Sequence, residues 1–156
     1  MCEEIALHWT EYFKAIGPTI IAVFIAYVAY QQWRINRASL REKLFDKRWQ
    51  VFKEAQAFLS EILRDTKYSE ESYWKFVDSC QRARFLFDKK TYDFLMEIRE
   101  RAVKMRMYKK KLDGVPVGDK RNKLVDQEGD ELKWLTDQID RLFEVFMPYL
   151  SFKETD

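Results

Sequence analysis

The sequence predicts an all-α protein, in which one N-terminal transmembrane helix continues into an up-down four-helix bundle in the cytoplasm. The 19 residues between Lys14 and Arg34 carry no charge and are mostly apolar. At about 1.5 Å per residue, they match the roughly 30 Å hydrocarbon core of a bilayer. Of the 156 residues, 35% are charged, but only four are Gly and three are Pro, as is typical of helical proteins. Beyond the uncharged stretch, apolar residues recur at helical spacing.

The N-terminal segment divides into a leader, residues 1–14, and a transmembrane helix, residues 15–33. The leader is predicted to be an amphipathic helix on the outer membrane surface that bends into the span at Gly17-Pro18. A frayed terminus is the alternative. Small residues at spacings of three and four favour close packing of two spans, although Ala is also common in spans generally. These residues are Ala15, Thr19, Ala22, Ala26 and Ala29.

Lys and Arg are concentrated on the C-terminal side of the span, which the positive-inside rule places in the cytoplasm. The sequence therefore predicts a single-pass protein with its N-terminus outside and residues 34–156 inside, as a cytoplasmic helical domain. Aromatic and basic side chains are expected at the two membrane interfaces. They are Trp9, Tyr30, Trp33, Arg34 and Arg37.

Four helices are predicted in and around this domain. Their approximate bounds are 31–65, 70–87, 89–112 and 120–147. The first continues the span, because residues 31–64 contain no Gly or Pro. Ser69 and Asp88 are predicted to cap the second and third helices, since their side chains accept hydrogen bonds from first-turn amides. Gly114 is predicted to end the third helix in a left-handed conformation, and Pro148 to end the fourth.

Few residues offer catalytic chemistry. The only histidine, His8, lies in the leader, so the predicted cytoplasmic part has no imidazole for base catalysis or zinc binding. The sequence contains no glycine-rich phosphate motif and no nucleophile elbow. Cys80 lies on an apolar stripe, which favours a buried and inert thiol. We therefore expect a protein that is not an enzyme, with no catalytic residue, cofactor or metal.

One charge cluster rises above the background. Between Arg99 and Lys123, ten basic residues face only three acidic ones. The residues of this basic patch are Lys104, Arg106, Lys109, Lys110, Lys111, Lys120, Arg121 and Lys123. Up-down topology places the patch at the end of the bundle distal to the membrane. It could hold an acidic protein, nucleic acid or the acidic fourth helix of a neighbouring protomer. Plain solvation is the commoner explanation, and Tyr108 alone is too little aromatic surface for base stacking.

Three strings carry a resemblance to known proteins. They are YQQWRINR at 30–37, LFDKR at 44–48 and PYLSF at 148–152. The chain from Ala26 onwards resembles a widespread group of uncharacterised small bacterial membrane proteins with one N-terminal span and a helical cytoplasmic domain. This resemblance implies a bacterial inner membrane and no assigned activity. In layout alone, the chain is also similar to pore-forming single-span accessory proteins of CRISPR systems, whose Arg-x-x-x-x-His signature has no counterpart here.

These observations favour a non-enzymatic, inner-membrane-anchored helical interaction or scaffold protein that self-associates. Its expected partners are the lipid bilayer, further copies of itself and a cytoplasmic protein. One alternative is an oligomeric pore-forming or membrane-perturbing effector, for example in phage defence. It ranks lower because only Thr19, Tyr27 and Tyr30 offer polar groups within the span. A third function, a membrane tether for nucleic acid through the distal basic patch, is less favoured still.

Overall fold

A computed structural model describes the backbone of residues 2–151 and the side chains of residues 17–151. Over this range the chain forms four helices and no strand, which confirms the predicted all-α class. The helices are α1 (Cys2–Asp65), α2 (Glu70–Leu86), α3 (Lys89–Leu112) and α4 (Asp119–Leu150). The chain divides into two compact units, Met1–Lys43 and Leu44–Asp156.

The first unit contains the N-terminal part of α1, which is helical from Cys2 onwards through both the predicted leader and the predicted span. The bend predicted at Gly17-Pro18 stays a prediction. Pro18 lies inside this helix. A single proline removes one N–H donor while the hydrogen bonds of the neighbouring turns remain, so the helix can continue through it. The side chains of Trp9 and Ala15, and the apolar face predicted for the leader, lie outside the described residues.

The transmembrane character of α1 stays a prediction. Among the residues described, no helix is both long enough and apolar enough to cross a bilayer. The predicted span begins at Ala15, before the first described side chain at Gly17.

The second unit is built around apolar side chains that all four helices contribute. Phe58 of α1 is fully buried at its centre. Its ring stacks on Phe76 of α2 at 4.6 Å between centroids and lies 5.1 Å from the ring of Tyr68. From α3 and α4, Leu95, Ile98, Leu135 and Leu142 complete this core. The predicted helical bundle is therefore formed by residues 44–151.

The polar contacts between α1 and α2 show that these helices run antiparallel. Near the start of the bundle, the Arg48 guanidinium donates to the Leu86 carbonyl at 3.2 Å. Near the other end, the Glu61 carboxylate accepts from the Ser69 amide at 2.9 Å. We call the end that contains Arg48 and Leu86 the entry end, because α1 enters the bundle there.

The other helix pairs complete an up-down order. Arg101 of α3 binds Glu131 of α4 at 3.2 Å, and the Thr91 and Tyr149 hydroxyls lie 3.5 Å apart at the entry end. The Arg48 guanidinium also lies 5.4 Å above the Tyr149 ring, so α4 returns to the end at which α1 entered. Successive helices are thus antiparallel, as short connections require.

Two predicted caps are present. The Ser69 hydroxyl accepts from the Ser72 amide at 3.2 Å, and the Asp88 carboxylate accepts from the Thr91 amide at 2.9 Å. The hydrogen bond from the Thr91 amide also lowers the pKa of Asp88 below its ordinary value. Gly114 follows α3 with φ of 82°, the left-handed conformation predicted for it.

Pro148 does not end α4, contrary to the prediction; the helix continues to Leu150. The last turn is held by packing, because the Tyr149 ring lies edge-on to Phe87 at 5.0 Å. The Ser151 amide donates to the Met147 carbonyl at 2.9 Å and closes the turn. Phe152, which was expected to pack back on the bundle, lies outside the described residues.

Thr66 should be a point of local strain that a single substitution relieves. It follows α1 with φ of 53°, a left-handed conformation that costs a residue with a Cβ about 1–2 kcal/mol. We expect Thr66→Gly to raise the free energy of unfolding by about 1 kcal/mol in a urea titration. Lys67→Gly is the matched control, because Lys67 has no such backbone, and it should lower stability slightly. Equal effects of the two substitutions would contradict this account.

Candidate functional site

The residues singled out by the sequence form two surfaces, one in each unit. The first is the apolar surface of α1 in its described part. Its large side chains are Ile20, Ile21, Val23, Phe24 and Ile25, each between 60% and 66% exposed. At 100° per residue they occupy more than half of the helix circumference. The sector left between them holds small residues that are also exposed, namely Thr19, Ala22, Ala26 and Ala29. Neither sector contains a charge, so this stretch has no polar face.

Aromatic and cationic groups mark the C-terminal border of the apolar surface. The Gln31 amide donates to the Tyr27 hydroxyl at 2.9 Å. The Tyr30 and Trp33 rings stack at 6.2 Å, and the Arg37 guanidinium lies 5.3 Å above Trp33. Exposed Arg34 stands beside this cluster. Amphipathic rings followed by cations suit a boundary between an apolar and an aqueous medium.

The second surface is the basic patch, and three of its residues contact other parts of the bundle. Arg106 forms an ion pair with Glu70 and lies 5.8 Å above the Tyr68 ring. The Lys109 ammonium lies 3.5 Å from the Thr66 carbonyl and 4.0 Å from Glu128. From the first turn of α4, Arg121 donates to the carbonyl of Val115 in the preceding loop at 2.8 Å. These cations are therefore structural.

The remaining basic residues of the patch point into solvent. Exposed side chains with no ion pair to any described residue are Lys104, Lys110, Lys111, Lys120 and Lys123. Among these, the Lys111 ammonium lies 5.8 Å from the ring of Tyr108 on its own helix. The structure therefore reduces the predicted patch to five free lysines around the α3–α4 connection.

Sequence reasoning did not single out Arg101, which makes the densest polar contacts between α3 and α4. Its guanidinium lies 4.2 Å above the Trp134 ring and binds Glu131 at 3.2 Å and Glu97 at 3.4 Å. The Glu131 side chain is only 13% exposed, so this pair is shielded from solvent. Only the Glu97–Arg101 spacing was visible in the sequence, as an i, i+4 pair. The contacts to α4 depend on helix register.

Cys80 lies in the core, with its sulfur 3.9 Å from the Leu95 carbonyl. Burial raises the pKa of its thiol to about 12. The reactive form is the thiolate, so this side chain is unavailable as a nucleophile near neutral pH. Among the residues with described side chains, no group of three or more His, Cys, Asp or Glu is placed to hold a metal ion.

The bundle also carries an open groove of about 450 Å³ between α1 and α2 at the entry end. Its lining residues are Asp46, Lys47, Gln50, Arg82, Phe85 and Leu86. The Arg82 guanidinium is already bound to Glu54 at 2.5 Å and to Asp78 at 3.1 Å. Its charge is therefore balanced within the bundle and does not mark an anion site.

Comparison with known proteins gives no match: no protein-family model, no curated protein and no solved structure is significantly similar to this chain. The resemblance to small bacterial membrane proteins stays an expectation.

Structural and free cations of α3 should differ in their effect on stability. Arg101→Ala removes the shielded pair with Glu131 and the contact with Trp134, and we expect it to lower the free energy of unfolding by about 1–2 kcal/mol. Lys104→Ala on the same helix should change it by no more than about 0.5 kcal/mol. Urea titrations of both variants test this. A cost for Lys104→Ala as large as that for Arg101→Ala would contradict the assignment.

The Cys80 thiol should resist alkylation in the folded protein. With a pKa of about 12, only about one thiol in ten thousand is ionised at pH 8, and the side chain is also buried. In a Cys2→Ser background, iodoacetamide should modify Cys80 at least about 100-fold more slowly before unfolding than in urea. Mass spectrometry over time measures both rates. Fast modification of the folded protein would show that the core opens at this point.

Proposed function

We propose that this protein is a non-enzymatic interaction module that α1 anchors in a membrane and whose helical bundle docks a partner in the cytoplasm. One observation carries the proposal: the apolar side chains around Ile20 to Ile25 surround the helix and are uncovered. A helix without a polar face is stable only when another apolar medium covers it, either a protein core or lipid. Lipid accounts for the whole circumference at once.

The flanks of the apolar surface support the same proposal. Uncharged sequence extends from Lys14 to Arg34, and the aromatic pair Tyr30 and Trp33 stands at its C-terminal border beside Arg34 and Arg37. Cations at the C-terminal border of the apolar surface favour retention of the chain beyond it in the cytoplasm. We therefore place the N-terminus outside and the bundle inside, at the inner membrane of a bacterium as the sequence resemblance implies.

Self-association is part of the proposal. The strip of Thr19, Ala22, Ala26 and Ala29 would let two copies of α1 approach closely in lipid, where packing rather than hydrophobic contrast holds helices together. Large apolar side chains on the remaining circumference would face acyl chains. In this arrangement the bundles of two copies are brought into proximity, and each remains free to bind other proteins.

The decisive experiment places charge on the apolar surface. Full-length protein and an Ile21→Arg/Ile25→Arg variant are expressed in a bacterium, and their membranes are washed at alkaline pH. The original protein should stay in the membrane fraction. The variant should be lost from it, because each arginine near the centre of a span costs about 2.5–3.5 kcal/mol.

The matched control is Leu63→Arg/Val117→Arg, which changes two exposed apolar side chains of the bundle. Circular dichroism confirms that the helices are retained in each protein. Retention of the control and loss of the test variant support the anchor. The proposal is wrong if the original protein is released by the wash, or if it remains dispersed in buffer without any amphiphile.

A further inference from the structure

The acidic residues of α4 lie on two different sides of the helix. On the inner side, Glu128 and Glu131 are only 21% and 13% exposed and bind Lys109 and Arg101 of α3. Asp119 at the start of the helix is exposed and forms no ion pair with any described residue, and the same holds for five further acids along its length. They are Asp126, Asp130, Asp137, Asp140 and Glu144, which we call the outer acidic side. The fold uses the inner acids and leaves the outer ones without partners.

The outer acids follow one line along the helix. Their positions fit alternating steps of four and three, and Lys133 is the only cation in the row. Asp126 and Asp130, like Asp140 and Glu144, are four residues apart, where like charges destabilise a helix. Nearby Arg141 is turned towards α3, with its guanidinium 5.3 Å above the Phe94 ring. Lys133, three residues from Asp130 and four from Asp137, offsets part of the repulsion, and the row keeps an excess of negative charge.

The free lysines around the α3–α4 connection form a group of like positive charges. Lys110 and Lys111 are adjacent, and Lys120 and Lys123 are three residues apart, so they also repel one another. A surface that only needs to remain soluble intersperses both signs. Here each sign predominates in its own area of the bundle: Lys110, Lys111, Lys120 and Lys123 outnumber Asp113 and Asp119 around the α3–α4 connection, and the five outer acids outnumber Lys133 along α4.

We propose that these surfaces bind each other between two copies of the chain, with the outer acidic side of one copy docking on the free lysines of the next. A second copy is the occupant that matches both surfaces, since each copy supplies the charge that the other lacks. Nucleic acid would be attracted by the lysines but repelled by the acids of α4. This contact is separate from the small-residue strip of α1, so either can fail without the other.

A charge exchange tests the proposal in the full-length protein, held in nanodiscs of uncharged lipid that each carry one copy. The acidic variant carries Lys110→Glu, Lys111→Glu and Lys123→Glu. The basic variant carries Asp137→Lys, Asp140→Lys and Glu144→Lys. Analytical ultracentrifugation measures association between nanodiscs at low salt and at about 500 mM NaCl.

Nanodiscs with the original protein should associate at low salt and separate at high salt. Each variant alone should associate about tenfold or more weakly, because like charges then face each other across the contact. An equimolar mixture of the two variants should associate again, since the exchanged charges are complementary. The inference is overturned if the mixture of variants does not associate, or if each variant alone associates as strongly as the original protein.

Added duplex DNA tests the competing explanation, in which the free lysines bind nucleic acid. If the original protein binds DNA and the acidic variant does not, while mixed variants do not associate, the lysines form a nucleic-acid surface and the self-docking proposal is wrong. The anchor is judged independently, from retention of each variant in washed membranes. Both variants should remain there, because their substitutions lie in the bundle.

Discussion

The rest of the structure depends on how the apolar side chains of α1 are covered. Between Val51 and Ile62, the inward side chains of this helix are buried in the core that all four helices share, and Phe58 has no exposed surface. Between Ile20 and Ile25, the large apolar side chains are left uncovered by the described residues, and each of them is more than half exposed. Burial of apolar surface stabilises by about 25 cal/mol per Å², so the first stretch stabilises the bundle, and the exposure of the second stretch is the basis on which we propose a lipid anchor. The proposed anchoring of α1 rests on this difference in cover, and the proposed sidedness rests on the cations that follow the apolar stretch.

The features that could be predicted from sequence are those with local causes. Ser69 and Asp88 cap their helices because a short polar side chain reaches the amide three residues later. This contact depends only on neighbouring residues, so the sequence predicts it. Pro148 was assigned by the same local rule and was wrong, because the packing of Tyr149 on Phe87 holds the final turn. At Gly17-Pro18 the chain is helical on both sides, and the bend predicted there stays a prediction.

The basic patch shows where sequence reasoning reaches its limit. Lys109 and Lys110 are neighbours of identical charge, but Lys109 approaches Glu128 and the Thr66 carbonyl while Lys110 pairs with no described residue. Which lysine is structural depends on the register between helices, and no single-helix pattern encodes it. The same holds for Arg101, whose contacts with Glu131 and Trp134 join residues 30 or more positions apart. Charge content was predictable from composition, and the division between structural and free charge was not. Two contacts between copies are proposed, one through the small-residue strip of α1 and one between charged surfaces of the bundles. Salt should weaken only the second, because it screens charges.

Cysteine accessibility along α1 tests the central claim most directly. Single cysteines are placed at successive positions from 19 to 33 in a Cys2→Ser background, with Cys80 retained because it is buried. Each protein in lipid vesicles is treated with a membrane-impermeant maleimide. Lipid on all sides predicts uniform protection from 19 to about 30, with reactivity returning beyond Trp33. Reactivity that recurs about every 3.6 residues would show water on one side of the helix and would contradict the account.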